Sequence, residues 1–254
     1  MSEHNLNSKD ISTLFNNTLK QLESFLKNKN PVTITLPVIK DSLNKKIEHT
    51  LLKIDATDND VTKLCTTAME YNFRAVCCMP RDTKQCSTIL KSSGVLTVQV
   101  IDFPLGMGSD NQRIYEAEQA VLYGADEIDM LLDVRAVQSD RIDIATRKIQ
   151  QIISVCGNKP VKVILETSVL SDKEIVKGCA AAYAGGASFV KTSTGFGKKG
   201  ASIKDIKIMK AAVLNRMRIK AAGGIKTVEF VQKLLNAGAD VIGTSDGPGC
   251  LMKI

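Results

Sequence analysis

The chain contains no tryptophan, and aromatic residues make up only 4% of it. That argues against a platform for single-stranded nucleic acid, where bases stack on exposed rings. Histidine is also scarce: His4 and His49 are the only two. No His, Asp or Glu cluster has the spacing of metal ligands, so no bound metal is expected. No stretch approaches 18 continuous apolar residues, so no membrane-spanning helix is expected. Residues 1–30 carry Lys9, Lys20, Lys27 and Lys29 without an unbroken apolar run, which is not the pattern of a signal peptide. A soluble, cytoplasmic protein is the expectation. No Pro/Gly/Ser-rich linker divides the 254 residues, so one domain is expected overall. The seven cysteines are odd in number and irregular in spacing. They read as free, mostly buried thiols in a reducing compartment.

With 44% hydrophobic residues, the chain can bury a large core. The 34 basic residues outnumber the 27 acidic ones for a net charge of +7, but the charges are interspersed. A phosphorylated metabolite or a solvated surface accounts for that excess, and a nucleic-acid partner is not expected.

One junction recurs along the chain. A helical pattern runs into a Gly-Ala or Gly-rich turn and then a short apolar strand, in LYGADEIDM (122–130), YAGGASFVKTS (183–193) and LNAGADVIGTS (235–245), and more loosely in YNFRAVCCM (71–79). Glycine ends such a helix by taking positive φ. Strands are expected near 46–52, 73–79, 95–102, 126–132, 160–166, 187–193, 217–222 and 239–244. Helices are expected near 58–71, 81–92, 110–123, 140–156, 171–184, 202–214 and 226–237. Runs such as VKVIL and ADVIG suit parallel strands covered on both sides. Eight alternating units favour an α/β fold of the (β/α)8 TIM-barrel type over an open doubly wound sheet. An extra amphipathic helix is expected over 8–28, with a segment holding Pro31 and Pro37 behind it. This gives an N-terminal helix and capping segment, 1–45, and a catalytic barrel, 46–254. The chain stops at Ile254, soon after the eighth strand, so a short or missing final helix is expected.

GFGKKG (195–200) matches the dinucleotide fingerprint G-x-G-x-x-G between a strand and a helix. The acidic partner that should follow about 20 residues later is missing from NRMRIKAAGG (215–224), so a nicotinamide cofactor is not expected. A glycine-rich turn entering a helix still presents N–H groups to a phosphate.

In a barrel, side chains at the C-terminal ends of strands face the active site. Asp129, Lys191 and Lys220 stand inside otherwise apolar strands near those ends. One buried lysine can be a structural ion pair. Two on neighbouring strands with a carboxylate two strands away point to Schiff-base chemistry, since burial costs several kcal/mol per ion. Desolvation and a second cation lower a lysine's pKa and free its amine for attack on a carbonyl. Glycine-rich turns end strands six to eight, at STGFG (193–197), AAGGIKT (221–227) and GTSDG (243–247), where barrel enzymes commonly bind phosphate.

The segments VKTSTGF around Lys191, KAAGGIKT from Lys220, ADEIDM around Asp129, IEHTLLKIDAT (47–57), VCCMPR (76–81) and VKVILET (161–167) resemble the signature segments of deoxyribose-phosphate aldolases. The resemblance covers roughly residues 45–247. It implies Lys191 as the Schiff-base lysine, Lys220 as the lysine that perturbs it and Asp129 as the proton-relay carboxylate. It puts Cys77, Glu48, Lys162 and Thr192 in the substrate pocket, and Gly195, Gly223, Gly224, Gly243 and Ser245 in the phosphate-binding turns. A lyase is implied that cleaves 2-deoxy-D-ribose 5-phosphate to D-glyceraldehyde 3-phosphate and acetaldehyde. It would need no cofactor and would form a homo-oligomer, dimer or higher. Three departures stand out. Glu48 occupies a position usually held by aspartate, and Asp246 replaces a residue that is commonly serine. The tyrosine-ended tail of some members is missing. Asp246 is expected to repel a substrate phosphate unless it points away or pairs with Lys226, so weaker affinity or slower turnover is expected.

Overall fold

The computed structural model describes residues 43–251. The helix expected over 8–28 and nearly all of the 1–45 capping segment lie outside them. The strands are β1 (Ile47–Leu51), β2 (Ala75–Cys78), β3 (Leu96–Ile101), β4 (Glu127–Leu131), β5 (Val161–Ile164), β6 (Phe189–Lys191), β7 (Arg218–Ala222) and β8 (Val241–Thr244). The helices are α1 (Asp58–Glu70), α2 (Thr83–Ile89), α3 (Asp110–Leu122), α4 (Val134–Gln138), α5 (Ile142–Cys156), α6 (Asp172–Ala184), α7 (Ile203–Val213) and α8 (Val228–Ala237).

Every strand pairs in parallel with its sequence neighbour, and β1 also pairs with β8 through Ile47–Ile242, Glu48–Gly243 and His49–Thr244. The eight strands therefore close into a barrel. This is the (β/α)8 architecture the alternation predicts. The eight expected strands are all present, shortened at their ends. Helix α4 was not expected: it has five residues, too few for periodicity to show. Asp133 nucleates it, accepting the Ala136 N–H at 2.9 Å.

The recurring junction has one geometry. After α3, α6 and α8 the N–H groups of Ala125, Ala187 and Ala239 reach back to the carbonyls of Ala120, Ala182 and Leu234 at 2.9–3.0 Å, the six-to-one bond of a Schellman cap. Gly124 holds the turn at φ 85°. The looser copy after α1 makes the same bond from Phe73 to Ala68, with Asn72 at φ 50° in place of glycine. Asparagine tolerates that region, which explains how the motif survives without its glycine. At their starts, α1 and α6 carry capping boxes, Thr57 with Asp60 and Ser171 with Glu174.

Strand side chains alternate between two cores. One face of each strand packs with the helices in a continuous outer core that includes Ile128, Ile149, Ile152, Val163 and Ile219. Each such side chain contributes roughly 2 kcal/mol by burial. Cys78 joins this core, whereas its neighbour Cys77 points into the barrel against Ala75, Val98 and Val100. All seven cysteines are free and buried. Much of the rest of the barrel interior is charged, with the Phe189 ring among the charges.

Candidate active site

Alternation places Glu127 and Asp129, two residues apart on β4, on the same inward face. Glu48 on β1, Lys162 on β5, Lys191 on β6 and Lys220 on β7 point to the same axis, and Arg74 enters from just before β2. These side chains form a closed ring of alternating charge. Asp129 accepts from Lys220 at 2.7 Å. Lys220 also bonds Glu48, and Glu48 bonds Arg74. Arg74 grips Glu127 with both terminal nitrogens, one of them at 2.9 Å. Lys162 then links Glu127, at 2.7 Å, back to Asp129, at 2.9 Å. Three cations face three carboxylates in the ring. Lys191 hangs from it as a seventh member, its Nζ 2.8 Å from Asp129 Oδ2, the oxygen that Lys220 already uses. The cluster therefore holds one cation more than it has carboxylates, and loss of one ammonium proton brings it to neutrality.

Burial is severe: Glu48, Asp129, Lys162 and Lys220 are each 0% exposed. Burial alone would raise the Asp129 carboxyl, but the ammoniums of Lys162, Lys191 and Lys220 overcome it and hold Asp129 well below the usual carboxylate range. Burial likewise opposes ionisation of Glu127, yet Arg74 and Lys162 draw it down to about 2. Burial disfavours the Lys220 cation too, and Asp129 and Glu48 reverse that, so its ammonium is held above the ordinary lysine value. In Cys77 burial dominates and pushes the thiol up. Among the described residues no group of three or more His, Cys, Asp or Glu is placed to hold a metal ion.

A cavity of about 640 Å³ opens above the ring, at the C-terminal ends of the strands. Of the seven clustered side chains only Lys191 lines it. Gly195, Gly223, Gly224, Gly243 and Ser245 line it together, as the sequence reading grouped them. Gly195 and Gly223 take φ of 91° and 95°, a region that glycine enters without steric cost. A Cβ on Gly223 would meet Gly200 Cα at 2.9 Å, so the second turn packs directly on the G-x-G-x-x-G segment. A Cβ on Gly243 would meet Lys220 Cε at 3.0 Å. Lys53, Lys63 and Lys226 add positive charge to the wall.

The four residues assigned to the substrate pocket sit beneath or beside the cavity, not on its wall. Glu48 and Lys162 belong to the ring, and Cys77 to the apolar half of the barrel. Thr192 follows Lys191 and therefore faces the opposite way; its hydroxyl exchanges bonds of 3.0 Å with the backbone N–H and carbonyl of Ala222, tying β6 to β7. Asp246 lines the cavity, but its Oδ1 accepts the Gly249 N–H at 3.0 Å and caps the turn after β8. Among the described residues it forms no ion pair with Lys226.

A family model, "DeoC/LacD family aldolase", matches residues 42–250. The chain belongs to this aldolase family. Among curated relatives, the deoxyribose-phosphate aldolase of Caldicellulosiruptor saccharolyticus is 44% identical over 211 residues, which is 82% of this chain and 96% of the relative. That of Mycoplasma capricolum is 41% identical over 211 residues, 83% and 95% of the two chains. Among solved structures, a Coccidioides immitis chain of 32% identity superposes with a TM-score of 0.89, covering 97% of each chain. The tetrameric deoxyribose phosphate aldolase of Aeropyrum pernix does so at 0.79 with 29% identity and the same coverage.

Three further residues of the candidate site went unread in the sequence. Glu127 had a signal, since E-x-D on a strand puts both carboxylates on one face. Arg74 precedes its strand and carries no such mark. Glu166, at φ 53°, accepts from the Thr194 N–H and hydroxyl at 3.1 and 2.6 Å and from Ser168 at 2.7 Å, so it anchors the turn that holds Gly195. Only its left-handed backbone marks it out, and that is visible in the structure alone.

Proposed function

We propose that this aldolase reversibly cleaves 2-deoxy-D-ribose 5-phosphate to D-glyceraldehyde 3-phosphate and acetaldehyde through a Schiff base on Lys191. The observation that carries this reading is the position of Lys191. It is the one member of the charge cluster open to the cavity, and the one beyond the ring's own balance. A neutral Lys191 amine adds to the substrate's aldehyde carbon, and loss of water gives a protonated imine. Removal of the C3 hydroxyl proton then breaks the C2–C3 bond, and its electron pair moves into the iminium to leave an enamine. D-Glyceraldehyde 3-phosphate departs. Protonation of the enamine at C2 and hydrolysis release acetaldehyde and restore the amine. Lys220 and the ionised Asp129, both on the Lys191 side of the ring, are the groups that hold and pass the protons.

The turns of Gly195, Gly223, Gly224, Gly243 and Ser245, with nearby lysines, suit the phosphate group. The reaction as written uses no cofactor. The tetrameric relative supports a homo-oligomer as the working form, and the relatives' activity supports a cytoplasmic role. Borohydride trapping with 2-deoxyribose 5-phosphate, followed by peptide mass spectrometry, tests the reading. A substrate-dependent adduct on Lys191, lost in Lys191→Met, is expected; a folded protein that gives no adduct overturns it.

A further inference from the structure

Arg74 has no contact with the cavity, and its guanidinium stays charged at every working pH. It enters the barrel from the end opposite the cavity, its side chain 15% exposed. There it bonds both carboxylates that Asp129 does not supply, Glu48 and Glu127, and lies over the Phe189 ring at 5.7 Å. Take Arg74 away and Lys162, Lys191 and Lys220 would face Glu48, Glu127 and Asp129 in equal number, so each ammonium would have its own counter-charge. With Arg74 present, two of the carboxylates are shared with it, and the three lysines compete for what is left.

We propose that Arg74 is a positioning residue of the Schiff-base site: its charge closes the ring and makes Lys191 the amine that surrenders a proton. This rests on the aldolase reading and adds a determinant to it. The titratable and charged groups that bear on Lys191 come from five other strands. Asp129 and Glu127 belong to β4, Lys220 to β7, Lys162 to β5, Glu48 to β1 and Cys77 to β2; Arg218 lies over the Phe189 ring at 3.9 Å. Arg74 acts on Lys191 only through these groups and the field, so its removal has a predictable sign.

The test is the pH dependence of kcat/KM for cleavage of 2-deoxyribose 5-phosphate, which reports ionisations of the free enzyme. In Arg74→Gln the acid limb is expected to move up by about one pH unit, a loss of about tenfold on that limb that fades at alkaline pH. Glu127→Gln, which removes a negative charge, is expected to move the limb the other way. Arg74→Lys and the double variant Arg74→Gln/Glu127→Gln keep the wild-type charge balance and are expected to return the limb to its wild-type position. A rate lowered equally at all pH values in Arg74→Gln marks a merely structural role and overturns the proposal. Should Arg74→Gln not fold, an acid limb in Glu127→Gln that stays put or moves up overturns it instead. Wild-type trapping on Lys191 is scored separately, so failure of the aldolase reading is distinguishable from failure of the role of Arg74.

Discussion

Lys191 and Asp129 bond each other at 2.8 Å, yet their removal should have opposite consequences for stability. Asp129→Asn is nearly isosteric but leaves Arg74, Lys162, Lys191 and Lys220 facing Glu48 and Glu127 alone. Three buried lysines lose the carboxylate they share. Breaking a buried pair by removing one partner costs about 3–5 kcal/mol, because the remaining charge stays out of water without compensation. For a chain of this size that lowers Tm by roughly 10 °C. Lys191→Met removes the surplus cation and keeps an apolar stem of similar length, so the remaining ring has equal numbers of both signs. The expected change is within about 1 kcal/mol of wild type, with added stability the favoured direction. Urea and thermal unfolding followed by far-UV circular dichroism at pH 7 would measure both. The reasoning fails if Lys191→Met loses as much stability as Asp129→Asn, or if Asp129→Asn loses none. Both variants are expected to be inactive, so the pair separates a residue kept for chemistry from one that also holds the barrel together.

Two further predictions concern single carboxylates, one in the ring and one on the cavity wall. Glu127 is held at about 2 against an ordinary 4.5, and a depressed carboxyl adds stability above its unfolded value that is lost as pH falls through the folded one. About 3 kcal/mol should therefore disappear between pH 4.5 and 2, with Asp129 acting in the same direction; urea midpoints that stay level across that window would refute it. Asp246→Asn keeps a side-chain oxygen to accept the Gly249 N–H while removing an exposed anion from the cavity wall. KM for 2-deoxyribose 5-phosphate should then fall about two- to fivefold with kcat little changed, and an unchanged KM would rule out repulsion by Asp246.

The barrel was legible because its signals are local and repeated. Each helix end from Gly124 to Gly238 carries its own stop, and each strand that follows is apolar enough to be buried on both faces. The copy at Asn72 shows how far the signal stretches: the backbone turn persists, and only the residue best suited to it has changed. Helix α4 was missed for the opposite reason. Five residues started by one aspartate cap show no period to read. The strands came out shorter than expected at both ends: buried character runs past the ladder bonds, from Ala187 and Ala239 in the entering turns to Thr192 and Ser193 in the leaving one.

The site was legible in part, and the divide follows sequence separation. Lys191, Lys220 and Asp129 stand out because a charge inside an apolar strand is expensive wherever it occurs. Their assignment to one cluster needed only the strand order of a barrel. What no local pattern encodes is closure. The bond between Lys220 and Glu48 spans 172 residues and exists only because β8 returns to β1. That single pairing brings Glu48 beside Lys220, and through Glu48 the ring reaches Arg74, a residue outside any strand. Counted one strand at a time, the lysines look like excess charge awaiting a ligand. Counted around the closed barrel, all but one are compensated, and the uncompensated position belongs to the amine at the cavity floor.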